Sequence, residues 1–352
     1  MYALHDLGWT DSHTIEFEPH AAGGLLPARV AAQHRGAYVL FSELGELRAD
    51  TAGRLSHEAG GAGDLPAVGD WVAVAARPDE GAATIQHVFA RRTKFSRKVA
   101  LHAAEEQVLA ANVDAVFIVM SLNEDFNLRR LERYITMAWE SGAQPVIVLT
   151  KTDLCPDWEL RVLEVEAIAF GVPVHAVSSV SGEGLELVRA HLAAGRTIAL
   201  LGSSGVGKST LINRLAGQEL LATAETSEDG RGRHTTTNRE LVPLPGGALL
   251  LDTPGMRELA LWADETVLDS TFSEIVEIAG GCRFADCTHL HEPDCAVRAA
   301  IADGSLEAER FDSYVKLGRE LRALELKKDA RLRSEARKEW RRRHREMRNV
   351  KY

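Results

Sequence analysis

The texture of apolar and polar positions changes twice along this chain. Residues 1 to about 100 alternate short β-like runs, at 36–41, 69–74 and 84–89, with turns. Gly53, the stretch 60–63 and the turn 78–81 break the runs apart. Short strands at this spacing, without long helices, predict a small β-barrel. The pattern alone fits an OB-type barrel and an SH3-like one.

From about 101 to 262 continuous apolar runs alternate with helical stretches. Residues 114–120, 145–149, 172–177, 197–201 and 248–251 predict buried parallel strands. Residues 128–141 and 159–170 predict crossover helices. Strand and helix in alternation imply a doubly wound α/β domain, with ligand loops at the carboxyl ends of its strands. From 263 onward the chain takes a helical texture, interrupted by a cysteine cluster, and 316–352 predicts one or two long helices. Three parts are therefore expected: a barrel over 1–100, an α/β domain over 101–262 and a helical part over 263–352.

The polar residues after those strands carry the chemistry. Gly202, Ser203, Ser204, Gly205, Val206, Gly207, Lys208 and Ser209 form a phosphate loop between a strand and the helix that Thr210 continues. Its glycines let backbone N–H groups turn toward phosphate, and the helix amino terminus adds partial positive charge. Lys208 should reach the β- and γ-phosphates, and Ser209 should ligate magnesium. Asp252, Thr253, Pro254 and Gly255 follow about forty residues later. Asp252 is placed to hold magnesium through water, and the Gly255 amide to sense the γ-phosphate.

Thr150, Lys151, Thr152 and Asp153 precede both elements, as does the loop of Ser178, Ser179 and Val180. A carboxylate at Asp153 accepts the N1–H and 2-amino protons of guanine, a donor pair that adenine lacks. The stem of Lys151 would cover the base, and the Ser179 amide would donate to the guanine O6. Thr150 stands where asparagine is usual, which lowers the expected guanine affinity. In an ordinary GTPase the two guanine-reading loops come last. Here they come first, so the order is circularly permuted.

Residues 225–237 join the phosphate loop to Asp252 and have the polar, glycine-containing composition of a switch. Thr236 is the residue chosen there for magnesium and the γ-phosphate. Met256 occupies the place of a water-orienting glutamine and cannot act as one, so His234 is the nearest candidate. Because only residues 256–263 separate Gly255 from the third part, nucleotide state is expected to act on that part through a short covalent lever.

Composition adds limits. The 352 residues are 45% hydrophobic, enough for ordinary cores, and no apolar run approaches the roughly 18 residues of a membrane helix. The first residues lack a basic segment followed by an apolar core, so no secretory signal is expected. Of four cysteines, three crowd between Cys282 and Cys295. That distribution is no disulfide framework and fits a reducing cytoplasm. Net charge is -10, yet residues 316–352 hold 15 Lys/Arg against 6 Asp/Glu, which leaves -19 on the remainder. The basic end fits a polyanionic partner or a solvated helix with internal ion pairs. Nothing demands a dimer, so a monomer is expected.

Cys282, Cys287, His289 and Cys295 supply three thiolates and an imidazole within one loop, a donor set for tetrahedral structural zinc. His291 is a rival nitrogen ligand. With these residues in view the chain resembles the RsgA/YjeQ family of circularly permuted GTPases. The most specific segments are 232–237 and 282–295. The resemblance implies an amino-terminal OB barrel and one structural zinc held by Cys282, Cys287, His289 and Cys295. It implies a catalytic role for His234, beside Lys208 and Thr236. It also implies GTP hydrolysis stimulated by the small ribosomal subunit and a role in its late maturation, with rRNA as a partner and no membrane. Two other readings stay open: an RNA-binding switch that turnover only resets, and a P-loop ATPase or nucleotide kinase.

Overall fold

A computed structural model describes residues 2–34, 37–98, 106–221, 240–252, 268–269, 271–284 and 287–328. The chain forms two compact units, Met1–Arg97 with Glu106–Ala260, and Lys98–Glu105 with Leu261–Tyr352.

The first unit starts with helix α1 (Asp11–Ala21) and strands β1 (Leu26–His34), β2 (Ala37–Ser42) and β3 (Gly45–Thr51). Helix α2 (Gly53–Glu58) then leads to β4 (Trp71–Arg77) and β5 (Ala82–Val88). The strands pair in the order β1-β2-β3-β5-β4, and a further β1–β4 pairing closes the ring. β3 and β5 run parallel while the other neighbours are antiparallel. This is the five-stranded OB barrel, the first of the two alternatives left by the sequence pattern. Val30, Leu40, Val72, Val74 and Ile85 fill it and are fully buried. β1 and α1 were not expected. β1 contains Pro27 and the buried Arg29, and α1 contains Pro19, so neither shows a clean apolar period.

Strands β6 (Lys94–Lys98) and β7 (Glu106–Ala111) form a two-stranded ladder that leads into the α/β half. That half contains β8 (Ala115–Ser121), α3 (Leu128–Ser141), β9 (Gln144–Thr150), α4 (Trp158–Glu166), β10 (Val174–Val177) and α5 (Leu185–Arg189). It continues with β11 (Thr197–Leu201), α6 (Lys208–Ala216), β12 (Glu240–Pro243) and β13 (Leu249–Asp252). The sheet order is β10-β9-β8-β11-β13-β12, all parallel except β12. Every residue of β8 is buried, which explains its unbroken apolar run. α3 covers the expected residues because both ends are signalled: Asn127 caps it by accepting from the Arg130 amide, and Gly142 ends it at φ 82°. α4 ends at Glu166, and residues 167–170 continue only as turns.

Successive strands leave β8 in opposite directions, toward β9 and toward β11. The crevice at that reversal is where such sheets bind ligands. A bridge between Ala32 and Glu240 joins barrel and α/β half into one eleven-stranded sheet. Arg29 braces the junction. Its guanidinium donates to the carbonyls of Leu7, Gly69 (3.2 Å) and Asn112 (3.0 Å), and lies 5.3 Å from the Trp71 ring. Asp70, wholly buried, pairs with Arg91 at 2.7 Å beside it.

The second unit holds α7 (Ser273–Ala279), α8 (Ala296–Asp303) and α9 (Ala308–Lys328). Phe272, Ile275, Val297 and Leu321 are buried in it, and Arg310 pairs with Glu274 over the Phe272 ring. α9 starts before the expected residue 316, and 329–352 lie outside the described residues. Among those described, no helix is long and apolar enough to cross a membrane.

Candidate nucleotide site and metal centre

β9, β10, β11 and β13 deliver the expected loops at their carboxyl ends. Gly202 leaves β11 at φ 149°, where a Cβ would sit 2.2 Å from the Val119 carbonyl oxygen. Gly207, at φ 93°, caps α6, so the helix amides open toward the loop. Lys208 Nζ folds over the loop and donates to the carbonyls of Gly202 (2.9 Å) and Ser203 (2.5 Å). Val206 is buried, Ser203 and Ser209 are half-buried, and Ser204, Gly205 and Thr210 are exposed. A loop of this form binds polyphosphate through backbone amides and one mobile ammonium.

Side chains tie to it the two loops expected to read guanine. Thr150, 2% exposed, donates its hydroxyl to the Val206 carbonyl at 2.6 Å. Lys151 Nζ donates to the Gly205 carbonyl at 2.8 Å, from a backbone at φ 65°. Ser178 donates to Asp153 Oδ1 at 2.6 Å and accepts from the amides of Val180 and Ser181. That turn leaves the Ser179 amide unused, and one carboxylate oxygen of Asp153 is fixed in direction. Thr150 is expected to make fewer bonds than the usual asparagine. Its hydroxyl has a single proton, which the phosphate loop accepts, so Thr150 acts here as a strap. Ser178 likewise orients the carboxylate. No local pattern signals either bond, because each joins loops far apart in sequence.

Asp252 ends β13 opposite Glu240, one strand from the phosphate loop. His234, Thr236 and Gly255 lie outside the described residues, as do the expected switch, Met256 and the lever.

In the second unit one ligand atom each from Cys282, Cys287, His289 and Cys295 lie within 4.8 Å of one another. Cys282 Sγ is 3.8 Å from Cys295 Sγ, and His289 Nδ1 is 3.6 Å and 3.5 Å from those two sulfurs. A tetrahedral zinc with ordinary bond lengths has S···S edges of about 3.8 Å and S···N edges of about 3.6 Å. The donor set therefore fits zinc in kind and in spacing. His291 is not part of the group. Burial raises the Cys282 thiol, but the amides of Val297 and Ala296, at the start of α8, outweigh it and leave its pKa below the ordinary value. Burial raises Cys287 to about 11, the opposite of what a coordinating cation would do. Glu292 folds the knuckle and went unnoticed in the sequence. It accepts from the Thr288 hydroxyl and the amides of Thr288, Leu290 and His291, which hold its pKa at about 2.

Residues 88–262 match the family profile described as RsgA GTPase. A relative from Opitutus terrae, named small ribosomal subunit biogenesis GTPase RsgA, is 51% identical over 90% of this chain and 89% of its own length. The chain belongs to the RsgA GTPase family. A Syntrophotalea carbinolica relative of the same name is 47% identical over 93% of this chain and 92% of its own. The crystal structure of YjeQ from Thermotoga maritima covers 84% of this chain and 98% of its own at TM-score 0.63 and 26% identity. That of YloQ, a circularly permuted GTPase, covers 85% and 96% at TM-score 0.59 and 26% identity. As a member of the RsgA family the chain is a GTPase with the permuted fold expected from its motif order, and the family implies use of nucleotide and Mg2+.

Proposed function

We propose that this RsgA-family GTPase hydrolyses GTP to GDP and phosphate as a late maturation factor of the small ribosomal subunit, and that the subunit stimulates it. The observation that carries the guanine reading is Asp153 held by Ser178 at 2.6 Å, on a loop strapped by Thr150 to the phosphate loop. The names of the relatives at 51% and 47% identity carry the ribosomal part.

In this reading Asp153 accepts from guanine N1–H and the 2-amino group, Lys151 covers the base, and the Ser179 amide donates to O6. The phosphate-loop amides and Lys208 stabilise negative charge on the transferring phosphoryl group. Magnesium, when bound, would neutralise negative charge on the phosphates. Ser209, Asp252 and Thr236 are its proposed holders. The Gly255 amide senses the γ-phosphate, and His234 orients the attacking water. Zinc at Cys282, Cys287, His289 and Cys295 is structural. The barrel over 1–100 and the basic end of 263–352 touch rRNA, while 101–262 is the catalytic domain. The protein acts as a cytoplasmic monomer.

The test is the GTP hydrolysis rate with and without purified small subunits. A strong rise is expected, and equal rates sink the ribosomal reading. ATP displacing bound GDP as well as GTP does removes the guanine assignment.

A further inference from the structure

We infer that the outer face of α4 is a docking surface for a lysine- and arginine-rich amphipathic helix of a partner protein. α4 has apolar side chains on two opposite faces. The inner face carries Val165 (0% exposed), followed by Ile168 and Ala169 in the turns beyond the helix. The outer one carries Leu160 and Leu163, followed by Ala167 and Phe170. Leu160, Leu163 and Phe170 are each 60% exposed. At about 100° per residue Leu160 and Leu163 lie on the side of α4 opposite Val165, and Ala167 and Phe170 continue beyond the helix end. A single exposed leucine is ordinary, but Leu160 and Leu163 one helical turn apart, with Phe170 exposed just beyond the helix end, make an apolar patch suited to an interhelical contact.

Charge names the occupant. Glu159 and Glu166 flank the stripe on one side, Asp157 and Glu164 on the other, and all four are exposed. Arg161 pairs with Glu164 at 3.0 Å and lies 5.1 Å from the Phe126 ring, so the negative charge of the face rests on Asp157, Glu159 and Glu166. An apolar seam with Glu159 and Glu166 along one edge and Asp157 on the other complements a helix with an apolar seam between basic edges, as e and g positions do in coiled coils. The same carboxylates repel the phosphates of RNA. Asp157 lies four residues beyond Asp153, so the partner would sit beside the guanine-reading loop. The face uses none of the nucleotide or zinc residues, and its failure leaves the GTPase reading untouched.

Two synthetic helices of about 21 residues test it, with leucine at a and d and either lysine/arginine or glutamate at e and g. Fluorescence anisotropy with the full-length protein should show the basic helix binding at least ~10-fold more tightly than its acidic twin, about 1.4 kcal/mol. The Leu163→Ser/Phe170→Ser variant should lose at least ~10-fold in affinity for the basic helix, with melting temperature and basal GTP hydrolysis unchanged. Glu159→Lys/Glu166→Lys should reverse the preference between the twins. Equal binding of the twins, or undiminished binding by the serine variant, overturns the proposal. In cells, a photo-crosslinking residue replacing Leu163 should join basic protein segments with apolar residues at i, i+3 or i+4 spacing. Adducts only to RNA, to a second copy of this chain or to its own residues 329–352 overturn it as well.

Discussion

Thr150 shows how one hydroxyl decides a site. Replacing it with valine keeps the shape and leaves the buried Val206 carbonyl without its 2.6 Å partner. Losing that bond costs about 1–3 kcal/mol, so GDP should bind roughly tenfold more weakly to Thr150→Val and nearly normally to Thr150→Ser, by fluorescent-nucleotide titration. His13 makes a second residue-scale prediction. Its Nδ1 accepts from the Thr10 amide at 3.0 Å, and the ring is 2% exposed. Burial first, then the charges of Arg92 and Arg29, lowers its pKa from 6.5 to about 4. The unfolded chain thus binds the proton more readily between those values. The stabilisation is fully present above pH 6.5 and is lost as pH falls toward 4, by about 3 kcal/mol. Denaturant melts followed by tryptophan fluorescence should show that slope in the parent. It should be reduced in His13→Gln, whose amide oxygen keeps the Thr10 bond.

At the scale of elements, the β11–α6 turn depends on backbone that only glycine adopts without strain. Gly202→Ala places a Cβ 2.2 Å from the Val119 oxygen, whereas a Cβ at Gly205 (φ 79°) meets open space and adds only backbone strain. Gly202→Ala should therefore abolish GDP binding and lower stability by more than about 2 kcal/mol, while Gly205→Ala should fold and only weaken binding. The metal knuckle is the other element at risk. Zinc release by chelator should expose the amides of α7 and α8 to hydrogen exchange and leave GDP bound to the first unit. Cys287→Ser should do the same, and a Cys282/Cys295 double variant that keeps its zinc refutes the ligand set. Elements with both ends signalled, such as α3, were legible in sequence to the residue. α1 and β1 were not, because Pro19 and Pro27 interrupt them and a buried arginine replaces an apolar position.

On the scale of the whole molecule, the barrel and the α/β half share a sheet and the Arg29 junction. Burial lowers the Arg29 pKa to about 10, so the guanidinium stays charged and three carbonyls satisfy it. Arg29→Leu leaves those carbonyls without their donor. It should cost about 2–4 kcal/mol and split the melting of the first unit into two steps by calorimetry, where the parent shows one. The sequence by itself determined the motif order, hence the permutation, and the donor sets that would suit phosphate, guanine and zinc, because those depend on residue identity at short spacing. Tertiary structure decided the OB strand order, the bonds from Thr150 to Val206 and from Ser178 to Asp153, and the exposure of the outer face of α4. Each of these depends on which distant segments meet, and a local pattern of apolar and polar residues carries no record of that.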